Sequence, residues 1–276
     1  MIVFRYLKRD LQLGLFSRIY MMLFPILFAV LQSRECSHAI AYFQQEGIMS
    51  AKGSCVDYIM YVFQGMHIFY FSPTESFTIP IYWFFFQMGI AYFVAYYSRD
   101  DFEAYGKSLL LAGKDRNAYW NAKCMWCLCT VVLYYLVAIF VTIICAVWQG
   151  ASLTFSSSAN FLGCIFGEYA SYLSAQEIVL LVTILPLCVT LGISFFQLYL
   201  SFRLSSVTAF VAVCSVYVLS AYATAWFLPG SYTMWQRSSY VVEDGLNPMG
   251  GLFLATVMIV MFYLVGRKYF KESDVL

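Results

Sequence analysis

Residues 124–148 read CMWCLCTVVLYYLVAIFVTIICAVW, 25 positions without a charge. A helix rises about 1.5 Å per residue, so roughly 20 residues cross a hydrocarbon core about 30 Å thick. This stretch therefore predicts a membrane-spanning helix. Five further stretches share its character: about 17–33, 78–97, 177–201, 207–228 and 249–266. No charge falls between Arg18 and Arg34, between Glu75 and Arg99, from Ile178 to Phe202, from Leu204 to Gln236 or from Gly245 to Gly266. Pro25 and Pro186 lie inside two of these stretches, where a kink is tolerated.

The whole chain agrees with that reading. Hydrophobic residues make up 62% of the 276 positions and charged residues 11%, against roughly half and about a quarter in soluble domains. Apolar surface in that excess needs lipid to solvate it. The net charge of +1 argues against a nucleic-acid partner, which wants a basic face. The first apolar run, Ile19–Leu31, lacks a small-x-small cleavage site and is read as a retained helix. The expected fold is all-α: one polytopic membrane domain over 1–276, with six transmembrane helices.

Charge placement sets the expected sidedness. With both ends cytoplasmic, the inner segments hold thirteen of the 16 basic residues, among them Arg5, Lys8, Arg9, Arg18, Arg99, Lys107 and Lys123. The outer segments hold only Arg34, Lys52 and Arg237. Such a bias follows the positive-inside rule in the cytoplasmic membrane. It also places 56–71, an apolar stretch carrying Asp57, Gln64 and His67, outside as an interfacial or re-entrant helix.

Three segments outside the spans carry information. Residues 2–16 predict an amphipathic helix, with Phe4, Leu7, Leu11 and Leu15 on one face and Arg5, Lys8, Arg9 and Gln12 on another. It suits the anionic inner leaflet; the alternative is a charged lead-in to the first span. In 98–123, Ser98-x-x-Asp101 resembles a capping box. Phe102, Tyr105 and Leu109 follow at near-helical spacing, and Gly113 is a candidate stop. A short cytoplasmic helix over about 99–112 is expected, with aromatic and charged side chains open to a soluble partner; a plain connecting loop is the alternative. Asp115 or Asn117 would cap the helix after it. Glu243, Asp244, Asn247, Pro248, Gly250 and Gly251 punctuate the last outer segment, which suits a re-entrant entry to the final span.

Catalytic motifs are missing. Gly106-Lys107-Ser108 imitates the end of a phosphate-binding loop, but Asp101 stands where the first glycine belongs and no strand precedes it. His38 and His67 form no metal or catalytic set. Cys124-x-x-Cys127-x-Cys129 has no second ligand pair and reads as small apolar packing. Cys36 and Cys55 share the first outer loop and form a candidate disulfide. The spans hold polar groups such as Gln87, Gln197, Thr130 and Thr190 but no interior charge. Enzymatic chemistry is not expected. Ion-coupled carriers usually place acids or bases within the bilayer, so energy for uphill transport would have to enter through the inner-face segment.

With its basic lead-in at 2–16, six spans, the inner segment Arg99, Asp100, Asp101, Phe102, Glu103, Tyr105, Gly106 and Lys107, and the Asn247-Pro248 entry to the last span, the chain resembles the membrane subunit of a type-2 ABC exporter. That resemblance implies that the 99–112 helix is a coupling helix docking on a separate ABC ATPase. It implies a working unit of two ATPases and two permeases, a homodimer of this chain being the expected form. It implies that ATP and Mg bind the partner and no cofactor binds this chain, and that the segment before the last span caps the pathway. Hydrophobic or amphipathic cargo, such as a peptide, antibiotic or drug, would suit an exit lined by Phe, Tyr and Met. A long aromatic first outer loop departs from many members. A secondary carrier or channel, and a peptide-binding immunity protein without transport, are the alternatives.

Overall fold

A computed structural model describes residues 2–49, 52–71, 76–108, 115–154, 156–157 and 159–272. The described residues are helical or irregular, with no strand among them. In chain order the α-helices are α1 (Ile2–Asp10), α2 (Leu23–Gln45), α3 (Cys55–Val62), α4 (Ile81–Asp101), α5 (Arg116–Trp148), α6 (Ala159–Phe166), α7 (Ala175–Val179), α8 (Leu185–Arg203), α9 (Ser206–Tyr222) and α10 (Pro248–Glu272).

Each of the six predicted spans coincides with a helix. Four helical runs are long and apolar enough to cross a membrane: Ile19–Gln45, Arg116–Trp148, Ala175–Arg203 and Pro248–Glu272. Ser206–Tyr222 is apolar but shorter. The remaining one, α4, carries Tyr82, Trp83, Tyr92, Tyr96 and Tyr97 and ends on Arg99-Asp100-Asp101, so its composition is less apolar.

Local chemistry explains the helix starts. Asp115 accepts a hydrogen bond from the Ala118 N–H and begins α5. Ser205 does the same for Thr208 at α9, and Ser54 with Asp57, and Ser174 with Glu177, form capping boxes at α3 and α7. Asn247 Oδ1 accepts from the Met249 N–H at the head of α10, where Pro248 needs no donor. Pro25 lies in the first turn of α2, where its missing N–H has no helical role. Pro186 leaves the Val182 carbonyl without its i+4 donor, and a π-helical turn, Leu180–Ile184, stands there.

Three boundaries differ from the sequence reading. The fifth span was expected to reach residue 228, yet α9 ends at Tyr222 and the chain from 223 to 228 is irregular. The first span was expected to end near residue 33, yet α2 continues to Gln45. Arg34 and Glu35 point outward while Gln32, Ser33, Cys36 and Ile40 keep one face buried; a periodic buried face outweighs two charges. The helix expected to start at Ser98 does not. Ser98 is buried inside α4, its hydroxyl donating to the Val94 carbonyl, and the chain runs on helically through a π turn, Phe102–Gly106, to Ser108. The inner segment is thus an extension of α4. Leu109 and Gly113 lie outside the described residues.

The run containing α8 is the most buried of the four, and it packs against α4, α5, α9 and α10. The long helices alternate in direction. One end gathers residues 2–18, 97–108, 115–123, Phe202 and Phe270 (the cluster end). The opposite end gathers α3, residues 149–152 and residues 229–246 (the cap end).

The segment 56–71 is a short helix followed by irregular chain. Tyr58, Met60 and Val62 are buried, and α3 packs against α2 and α5. All nine cysteines are free; Cys36 and Cys55 are both buried and the disulfide expected between them is not formed.

Candidate functional site

Three elements meet at the cluster end. α1 ends on Arg9 and Asp10, α4 ends on Asp101, and the second turn of α5 carries Tyr119 and Lys123. Tyr97 and Asp101 are four residues apart on α4, and Tyr119 and Lys123 four apart on α5, so each pair shares a helix face. α1 is held close because Gly14, just beyond it, rests against Tyr97 and Trp126 with no room for a Cβ.

Lys123 is fully buried and bridges both acids, with Nζ 2.6 Å from Asp101 Oδ2 and 3.1 Å from Asp10 Oδ1. Arg9 Nη2 bridges the same two oxygens at 2.7 and 2.8 Å. The Tyr97 hydroxyl donates to Asp10 at 3.1 Å and that of Tyr119 to Asp101 at 3.3 Å. Lys123 Nζ also sits 4.7 Å from the Tyr97 ring centre and 5.3 Å from that of Tyr119. Two carboxylates and two cations cancel. Burying charge without a partner is costly, so cancellation is the condition for placing these groups in a dry site. At Arg9 burial opposes the charge, but the hydrogen bond to Asp10 and the fields of Asp10 and Asp101 outweigh it, and its pKa lies above the ordinary value.

An aromatic wall lies beside the ions. Phe102 meets Phe202 at 5.4 Å and Phe270 at 6.2 Å, and Trp120 stacks on Phe270 at 5.4 Å. Gly266 lies tightly against Trp120. The ends of α8 and α10 are thereby joined to the cluster.

The structure separates the expected inner-face residues into two sets. Asp101, Phe102 and Gly106 are buried. Tyr105 is 63% exposed, and Lys107 is exposed, its Nζ 5.9 Å from the Phe102 ring centre. Arg99 pairs with Glu103 at 2.6 Å, and Asp100 accepts from Arg18 at 3.0 Å. A grip surface was expected to include Phe102; its ring faces the wall instead. On α1, Leu7 and Leu15 (just beyond it) are buried against the bundle, whereas Phe4 is 73% exposed beside exposed Arg5 and Lys8.

At the cap end one cation stands among neutral groups. Arg237 is 1% exposed. Its Nη1 and Nη2 donate to the Ser220 and Ala221 carbonyls at 2.6 Å each, and its Nε to those of Met66 and His67 at 3.2 and 3.3 Å. It closes the C-terminus of α9, where the helix dipole favours a cation. Burial lowers its pKa to about 10. The Trp235 indole donates to the Met60 carbonyl at 2.8 Å. The predicted gate residues lie at the rim: Glu243 and Asp244 are exposed, Tyr70 contacts Asp244 at 3.4 Å, and Asn247 and Pro248 start α10.

Between the ends, Gln87 joins three helices. Its Oε1 accepts from Tyr217 at 3.0 Å and Thr190 at 3.3 Å, and Tyr135 lies 2.8 Å from Thr190. Gln87 and Thr190 thus meet in a neutral knot, whereas Gln197 donates to the Ala91 carbonyl and Thr130 to that of Trp126.

No known protein family, curated protein or solved structure matches the chain. The cluster's geometry is therefore its own evidence. Sequence reading missed Asp10, Lys123, Tyr97 and Arg237. Asp10 is the lone acid among the first 34 residues, and Lys123 directly precedes the 25-residue uncharged run; an isolated charge of each sign at the ends of apolar segments is a signal for pairing.

Proposed function

We propose that the chain is the transmembrane subunit of an ATP-binding-cassette exporter, inserted with both ends on the cytoplasmic side. It would move a hydrophobic or amphipathic cargo with energy from a separate ATPase subunit that holds ATP and Mg. A second copy of the chain completes the pathway, and six helices cross the bilayer. One observation carries the reading: the extension of α4 is exposed at Tyr105 and Lys107 while Asp101, a turn before, is ion-paired to both α1 and α5. A push on the exposed turn reaches three elements through short charged contacts. The knot at Gln87 is built from an amide and hydroxyls, not from the acids or bases that ion-coupled carriers usually place in the bilayer.

Affinity purification of the chain from its native membrane, read for a co-purifying ABC ATPase, tests the reading. Tyr105→Glu with Lys107→Glu changes exposed positions and is expected to release the ATPase while the helices stay inserted. Equal retention by this variant, or no ATPase held by the parent chain, overturns it.

One feature favours a second reading, a proton-coupled carrier. Lys123 and two carboxylates are buried together, and buried ionisable groups in membrane proteins often mark ion pathways. Proton-driven cargo uptake into liposomes containing this chain alone would select it over the exporter.

A further inference from the structure

We infer that the cleft between α1 and the extension of α4 binds the phosphate headgroup of an anionic phospholipid. Arg9, Leu13, Tyr105 and Ser108 line this cleft, whose volume is about 370 Å³. Arg9 and Leu13 are one turn apart on one wall, and Tyr105 and Ser108 one turn apart on the other.

Local charge favours an anion. Nearby carboxylates are already occupied: Asp10 and Asp101 by Lys123 and Arg9, Asp100 by Arg18, Glu103 by Arg99. Arg5, Lys8 and Lys107 are exposed and form no ion pair with a described residue. Arg5 stands one turn before Arg9 on the same helix face. Arg9 commits only Nη2 to the acids; its Nε and Nη1 are buried and have no hydrogen-bond partner among the described residues. A guanidinium carries five N–H donors, and phosphate oxygens are well matched to them.

The apolar side selects a lipid over a free anion. Leu13 in the cleft is 44% exposed, with Phe4 and Phe16 exposed at 73% and 62% on the same segment. An acyl chain would cover these side chains beside a bound headgroup, whereas inorganic phosphate would leave them bare. A basic helix with an apolar stripe lies where headgroups meet acyl chains. This inference needs the chain to be membrane-embedded but does not depend on an ATPase partner.

The experiment measures lipid retained by the full-length chain purified from nanodiscs of phosphatidylcholine mixed with phosphatidylglycerol. Phosphatidylglycerol should be enriched over phosphatidylcholine. Each cation near an anionic surface contributes about fivefold, so Arg5→Gln with Lys8→Gln should reduce the enrichment by roughly tenfold or more. Ser108→Trp keeps every charge and fills the cleft; it should abolish the tightly held lipid with thermal stability unchanged. Equal retention of the two lipids by the parent overturns the inference. So does full enrichment in Ser108→Trp, or displacement of the lipid by inorganic phosphate alone. ATPase co-purification is not read, so failure here is distinct from failure of the exporter reading.

Discussion

The two ends of the bundle bury cations by opposite means. At the cluster end, Lys123 and Arg9 each face two carboxylates, so charge cancels between side chains from three separate elements. At the cap end, Arg237 faces four backbone carbonyls and no carboxylate. The first arrangement depends on several side chains being present together. The second depends on backbone geometry, which a substitution elsewhere does not remove. A load placed on the first end can therefore re-pair charges, whereas the second end offers Arg237 no alternative carboxylate.

This contrast is broken most sharply at Lys123. Lys123→Met leaves two buried acids facing Arg9 alone, and removing one partner of a buried pair costs about 3–5 kcal/mol. A large fall in thermal unfolding temperature in detergent is expected, with faster proteolysis of residues 2–18. Adding Asp101→Asn should recover more than half of the loss, because one acid then matches one cation. No recovery would mean that packing around Lys123, not charge balance, holds the end together.

Arg237→Met tests the opposite end. It strands helix-end carbonyls, and a buried unsatisfied group costs about 1–3 kcal/mol. No second substitution that removes a carboxylate should rescue it, since none is paired there. Rescue by Asp244→Asn would refute the distinction between the ends.

The smallest effect is expected at Arg18→Gln. Its pair with Asp100 is half exposed on the acid side, and such pairs contribute about 0–1 kcal/mol. A destabilisation as large as that of Lys123→Met would show that the cluster extends further than the buried residues.

The apolar helices were legible because each holds a run of apolar residues, a local property, and four of the runs are long enough to cross a membrane. Asp115, one of two expected caps, begins its helix; the caps Ser174 and Ser205 went unread. The inner segment was half legible. Its charges and aromatics mark it, but Ser98 reads as a cap only if the chain breaks before it, and burial of Ser98 inside α4 keeps the helix intact. Phe102 and Tyr105 look alike in sequence, yet one is buried and the other exposed, because only Phe102 meets Phe202 and Phe270, which lie a hundred residues or more further along the chain.

That this chain is helical and apolar enough for a membrane follows from residue order alone, since free energies of transfer to lipid add residue by residue along a helix. That Asp10, Asp101, Arg9 and Lys123 form one neutral unit, and that Arg237 closes a helix end, depends on how the helices pack. Charge compensation acts over a few ångströms in space, and separations of up to 113 residues in the chain carry no trace of it until the helices pack.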